Sequence, residues 1–183
     1  MLDDGDVSEV ELIARAKDGD RQAFGALVER HYDFVHRIAW RWCGHRDDAE
    51  DIAQEVCIRL GHSIRDYRGA GAFTTWLYAM TMNAARDLAR KTARDTARTD
   101  AYGVHASITG EGTDDQGAQL DELWLAVRKL PDKQRDAVLL VYGEGLSHAA
   151  AGEAMAISEA TVSWHIHEAK KRLKVLMRSA GEV

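Results

Sequence analysis

A chain of 183 residues, 45% of them hydrophobic, can bury real cores and has room for one domain or two, while a net charge of −6 opposes any general attraction to nucleic acid. Two cysteines, Cys43 and Cys57, are too few for a disulfide scaffold and read as small apolar residues; no signal peptide and no membrane-length apolar run are visible, so the expected setting is reduced and cytoplasmic, with no membrane insertion. A single proline, with segments rich in Ala, Leu, Arg, Glu and Asp that repeat at helical spacing, predicts an all-α fold.

Ser8-x-x-Glu11 is a capping box that opens a short helix ending at Gly19. Asp20 then caps a long helix whose Phe24, Leu27, Val28, His31, Val35, Ile38 and Trp42 form a core stripe, and His31 within that stripe reads as a core histidine rather than a ligand. In the next helix, DDAEDIAQEVCIRL, the residues Ala49, Ile52, Ala53, Val56 and Leu60 form the buried side, and Asp51, Gln54, Glu55 and Ile58 gather opposite. An acidic face with one apolar residue suits a basic protein partner; a merely solvated face has the same pattern.

The glycine-containing loop HSIRDYRGAGAF leads into FTTWLYAMTMNAARDLARK. Phe73, Leu77, Met80, Ala84 and Leu88 make its inner stripe, and Trp76, Ala79, Asn83, Arg86 and Arg90 a second one. An aromatic ring beside an amide and guanidinium groups can stack an unpaired base, bond its edge and hold phosphates; the competing reading makes Trp76 core and the arginines surface charges. Residues 96–117 lose the helical period and collect Gly, Thr, Asp and Ser, which predicts a flexible linker between helical domains at 1–95 and 118–183.

In the second domain Pro131 suits a first helical position, Gly143 and Gly145 mark an end, Ser147 can cap a short Ala-rich helix, and Met155-Ala156-Ile157 is a tight connection into Ser158. The helix that follows, ISEATVSWHIHEAKKRL, stacks Val162, Ile166, Ala169 and Leu173 on one side and turns Ser163, Trp164, His167, Lys170, Lys171 and Lys174 away. This is a helix-turn-helix pattern, whose second helix is shaped for the major groove. His165 and His167 lie about 200° apart around a helix and cannot share one ion, and none of the histidines shows paired-ligand spacing. No metal, cofactor or catalytic residue is expected, and an enzyme is not the reading.

In order, D-A-E-D-x-x-Q-E, Y-R-G, F-T-T-W-L-Y-x-x-x-x-N-x-x-R-D, a linker, L-P-x-x-x-R-x-x-x-L-L-x-x-x-E-G-L-S and I-S-E-x-T-V with a basic tail resemble the extracytoplasmic-function (ECF) sigma factors of the sigma-70 family. The resemblance implies that the first domain binds the coiled coil of the RNA polymerase largest subunit and melts the −10 element, that the second binds the polymerase flap and reads the −35 element, and that an anti-sigma factor controls the protein. Carried onto this sequence, the polymerase contact falls on Asp51, Gln54 and Glu55. The −10 contacts fall on Arg68, Trp76, Asn83, Arg86 and Arg90, and the −35 contacts on Ser163, Trp164, His167, Glu168 and Lys171. Ser163 and Glu168 stand where the family often has basic residues, Ala156 replaces a turn glycine, and Gly152 inside the preceding helix is expected to weaken it. These departures leave room for a second function, a sigma-like decoy that binds an anti-sigma factor without reading promoters.

Overall fold

The computed structural model describes residues 7–69, 71–99 and 115–180, and among them finds helices and no strand. The helices are α1 (Glu9–Lys17), α2 (Arg21–Cys43), α3 (Arg46–Ser63), α4 (Phe73–Thr99), α5 (Asp115–Arg128), α6 (Asp132–Val138), α7 (His148–Met155) and α8 (Glu159–Ala180). A 3-10 turn at Ile64–Asp66 follows α3, and a π turn at Leu139–Gly143 follows α6. Of the expected linker, residues 96–99 continue α4, residues 115–117 open α5, and residues 100–114 lie outside the described residues.

The expected caps form. Ser8 Oγ accepts from the Glu11 amide at 3.2 Å, and Asp20 Oδ1 accepts from the Gln22 and Ala23 amides at 2.9 and 3.1 Å. The other Asp20 oxygen takes Arg15 at 2.8 Å, so the carboxyl, held chiefly by the Ala23 amide and Arg15, sits below the ordinary aspartate range. At the far end of α2 the chain turns at Gly44 with φ 80°, a left-handed cap that favours glycine. His31 is a core residue: its ring meets the edge of Phe73 at 5.2 Å and its Nε2 lies 3.1 Å from Glu9. Burial pulls its pKa down, against the opposing pull of Glu9.

α2, α3 and α4 pack together with α1 across α2, and on α3 the expected Ala49, Ile52, Ala53, Val56 and Leu60 are all buried. α4 departs from the simple amphipathic reading. Besides Phe73, Leu77 and Ala84 it buries Tyr78, Thr81, Met82 and Ala85, while Met80 and Leu88 are only half-buried. The cause is cover on two sides, by α2 and α3 on one and by the carboxy-terminal half, notably α7, on the other. One continuous core therefore runs through both halves.

The α7–α8 connection is built on close approach. Ala156 adopts φ 54° and ψ 44°, the left-handed conformation, and the Ile157 amide donates to Gly152 O at 2.9 Å. A Cβ on Gly152 would stand 2.8 Å from Ile157 O and 3.3 Å from the Glu159 nitrogen. The glycine that the sequence marks as a weakness is the residue that lets α8 begin against α7. Val162, Ile166 and Ala169 are then buried and Leu173 half-buried, as the stripe requires.

Opposite effects are expected at these two positions in thermal or urea unfolding. Gly152→Ala pushes backbone against backbone and should cost about 1–3 kcal/mol. Ala156→Gly relieves the left-handed strain and should gain about 0.5–1 kcal/mol. Equal or reversed signs would contradict this description of the turn.

Candidate nucleic-acid and protein interfaces

α3 presents its outer face as expected. Asp51 and Gln54 are exposed, Glu55 is partly covered, and Ile58 retains 58% of its surface. These residues line one wall of an open groove of about 470 Å³, whose other wall comes from Asp87, Leu88, Lys91 and Arg94 of α4. Arg59 braces the groove floor: its Nε donates to Glu55 at 2.7 Å and its Nη2 to Asp87 at 3.0 Å. Asp87 also accepts from Arg90 at 2.5 Å, and its carboxyl is held below the ordinary range by Arg90 and Arg59. Of the two carboxylates on this α3 face, Glu55 is braced by Arg59, and Asp51 presents its charge to solvent beside the neutral Gln54.

At the head of α4 the loop residue Arg68 is exposed. Its neighbour Tyr67 is fixed by Lys17 Nζ donating to its carbonyl at 2.8 Å and by its own hydroxyl donating to Gly71 O at 2.9 Å. The Tyr67 ring lies 5.1 Å from Trp76 and 5.2 Å from Phe73. Trp76 is therefore half-buried in an aromatic cluster under the loop, part core and part surface.

The second α4 stripe is less open than its spacing predicts. Asn83 is exposed and its Oδ1 accepts from Arg86 Nη1 at 2.9 Å, but Arg86 Nη2 is ion-paired with Asp136 of α6, a carboxylate with 0% exposure. Trp42 Nε1 donates to the same carboxylate at 3.2 Å, and Tyr78 donates its hydroxyl to the Asp136 carbonyl at 3.3 Å. Nearby, Glu144 takes Arg41 at 2.8 Å and Arg37 at 3.2 Å, and the Arg135 guanidinium sits 4.1 Å above the Trp42 ring. While the two halves stay docked, Arg86 is committed to Asp136; Arg90 remains on the surface.

On α8, Ser163, Trp164 and His167 are exposed, Trp164 by 56%. Ser158 Oγ accepts from the Thr161 amide at 3.1 Å and caps the helix. Glu168 pairs with Lys171 at 3.0 Å, a contact that lowers the Glu168 pKa, and Lys170 lies over the Tyr142 ring at 5.3 Å. His148, at the start of α7, places Nδ1 2.8 Å from Ser163 Oγ.

The sigma-70 region 2 family model matches residues 27–95, and the sigma-70 region 4 model matches residues 120–173. The ECF RNA polymerase sigma factor SigW of Bacillus subtilis is 30% identical over 177 residues, which cover 91% of this chain and 95% of that protein. The chain belongs to the ECF sigma factors. Two solved structures share its fold. One is the sigma factor RpoE in complex with the anti-sigma factor NepR from Bartonella quintana, with TM-score 0.70 and 19% identity over 85% of this chain and 96% of that one. The other is CnrH in complex with the cytosolic domain of CnrY, with TM-score 0.69 and 24% identity over 95% and 99%.

Within this ECF sigma factor, sequence spacing missed the roles of Arg59, Asp87, Asp136 and His148. Arg59 follows Glu55 by one helical turn, so that pair was legible, but its reach to Asp87 needed the packing of α3 on α4. Asp136 lies one turn beyond Asp132, and nothing in the spacing tells the buried carboxylate from the exposed one. His148 is read only once α7 and α8 are placed together. Among the described residues no group of His, Cys, Asp or Glu is arranged to hold a metal, and no helix is long and apolar enough to cross a membrane.

Asp136→Asn should loosen the docking of the two halves. The amide keeps an oxygen for Trp42 but leaves the half-buried Arg86 charge without its counter-ion, and losing one member of a buried pair costs about 3–5 kcal/mol. Small-angle scattering should report a larger radius of gyration with unchanged helical circular dichroism. An unchanged radius would contradict the role given to this pair.

Proposed function

We propose that this ECF sigma factor binds core RNA polymerase through the α3 face of Asp51, Gln54 and Glu55 and directs initiation by reading a −10 element with its first half and a −35 element with its second. The observation that carries this reading is the α3 groove: a helix whose other side is wholly core turns acidic residues and the exposed Ile58 outward beside an open cleft. Basic groups on a polymerase coiled coil complement the charge, and Ile58 supplies apolar area at the centre of the contact. Domains at 1–95 and 118–183 with a linker at 96–117 are the corresponding division of labour.

Arg68, Trp76, Asn83, Arg86 and Arg90 are the −10 set. Trp76 and Tyr67 offer ring faces to an unpaired base beside the Arg68 loop, and Asn83 with Arg86 can bond a base edge and phosphate once Arg86 leaves Asp136. Reading the −10 element thus requires the α4–α6 contact to open, which polymerase accomplishes by engaging the two halves at separate places, coiled coil and flap. Ser163, Trp164, His167, Glu168 and Lys171 are the −35 set, with Trp164 suited to a thymine methyl and Lys171 to phosphate. With a net charge of −6 the free chain attracts DNA weakly, and the polymerase supplies the missing affinity in a reduced, cytoplasmic setting. A helical anti-sigma factor covering the Asp51 face would block this first step.

The double substitution Asp51→Arg, Glu55→Arg replaces the acidic face with a basic one while leaving the buried stripe of α3 intact. Affinity for core polymerase should fall by about tenfold or more, with circular dichroism unchanged. Unchanged affinity in a folded double variant would show that this face is not the polymerase contact.

A further inference from the structure

Ser163 is the one exposed hydroxyl among the proposed −35 contacts, and its chemistry is ambiguous. A serine carries one donatable proton and two lone pairs, so taken alone it bonds an amino group or a carbonyl with equal ease and discriminates poorly among bases. Inside a helix such a hydroxyl commonly turns back to the carbonyl one turn earlier. Here it reaches across to the neighbouring helix, where His148 Nδ1 stands 2.8 Å away. The placement is built by the backbone: Ser147 Oγ caps α7 at the Ala150 amide, fixing His148 as its first residue, and the Gly152 and Ala156 turn brings the second turn of α8 against it. Neither side chain belongs to the core.

We propose that His148 is a specificity-determining positioning residue, which fixes the hydrogen-bonding direction of Ser163 in the −35 groove. In this scheme the imidazole proton sits on Nε2, so that Nδ1 accepts and Ser163 donates to it. The serine proton is then committed, and only lone pairs face the groove. Such a group accepts from the amino groups of adenine N6 or cytosine N4, and it meets guanine O6 and N7, or thymine O4, acceptor to acceptor. His148 touches no base in this scheme; it acts through Ser163. The proposal rests on the assignment of α8 as the −35 helix, and the test separates the two.

The experiment selects −35 sequences from a randomised library with polymerase holoenzyme carrying wild type, Ser163→Ala, His148→Ala, His148→Asn, or the His148→Ala, Ser163→Ala double substitution. Wild type should prefer adenine or cytosine over guanine or thymine at one position by about fivefold, the scale of a single hydrogen bond. Ser163→Ala and His148→Ala should each erase that preference, and the double variant should match Ser163→Ala alone, because the two residues act as one unit. His148→Asn, whose Oδ1 can take the place of Nδ1 as acceptor, should retain the preference. If Ser163→Ala changes the preference and His148→Ala does not, the proposal is wrong and the −35 assignment stands. If His148→Ala weakens binding equally for every sequence, its role is structural and the proposal is again wrong. If Ser163→Ala is silent, the reading of bases through Ser163 fails, and the proposal falls with it.

Discussion

A carboxylate without solvent, Asp136, stands where the two halves of the chain cross, and the arrangement of the whole molecule follows from satisfying it. A buried charge left alone is far too costly to persist, so it must be paired and bonded. Its partners come from two helices of the amino-terminal half, the Trp42 indole of α2 and the Arg86 guanidinium of α4, with Tyr78 fastening the backbone carbonyl of the same residue. Those bonds hold the carboxy-terminal half, with α7 foremost, against α4, which explains why α4 buries Tyr78, Met82 and Ala85 on a side that a lone amphipathic helix would leave wet. They also place the α7–α8 pair against the same support. A polar pair of this kind contributes less to net stability than to a defined docking geometry, because its geometry is directional and an apolar contact of equal area is not.

The same interaction ties structure to function. In the proposed function Arg86 cannot be clasped by Asp136 and reach a promoter at once, so the docked state and the proposed −10-reading state compete for one guanidinium. Glu144, with Arg37 and Arg41, adds a second set of ion pairs across the same boundary, but Arg37 is well exposed and its pair is screened by salt. Around this boundary the recognition surfaces are divided by charge. α3 exposes acidic residues and one isoleucine, the face proposed for a protein partner, whereas α8 exposes serine, tryptophan and histidine, proposed for base edges, with lysines at the margin. An acidic chain with small, local DNA-facing patches depends on its carrier for affinity and keeps for itself the choice of sequence.

Much of this was legible in the residues. Ser8, Asp20, Ser147 and Ser158 announce their helices because short polar side chains satisfy the free amides of a first turn locally, with no help from the rest of the fold. The stripes of α3 and α8 were legible because each packs on one side only. α4 was not, since it is covered from two directions and the second cover arrives from beyond the linker. Gly152 was misread for a related reason: helix propensity is a local quantity, and the need for a missing Cβ came from the backbone of the next turn at 2.8 Å. The acidic face, the aromatic Trp76 and the exposed α8 residues could be located from spacing, but the bonds that restrict them, Arg59 to Asp87, Asp136 to Arg86, and His148 to Ser163, join separate helices.

This ECF sigma factor confers promoter choice on RNA polymerase. The direct measurement is run-off transcription with core polymerase, with and without the protein, on a library of templates randomised through the −35 and −10 regions. The expected result is initiation from a small subset of templates that share two separated sequence elements, and only when the protein is present. Transcript levels and template usage equal to those of core polymerase alone, from a protein that nevertheless binds core, would contradict the account.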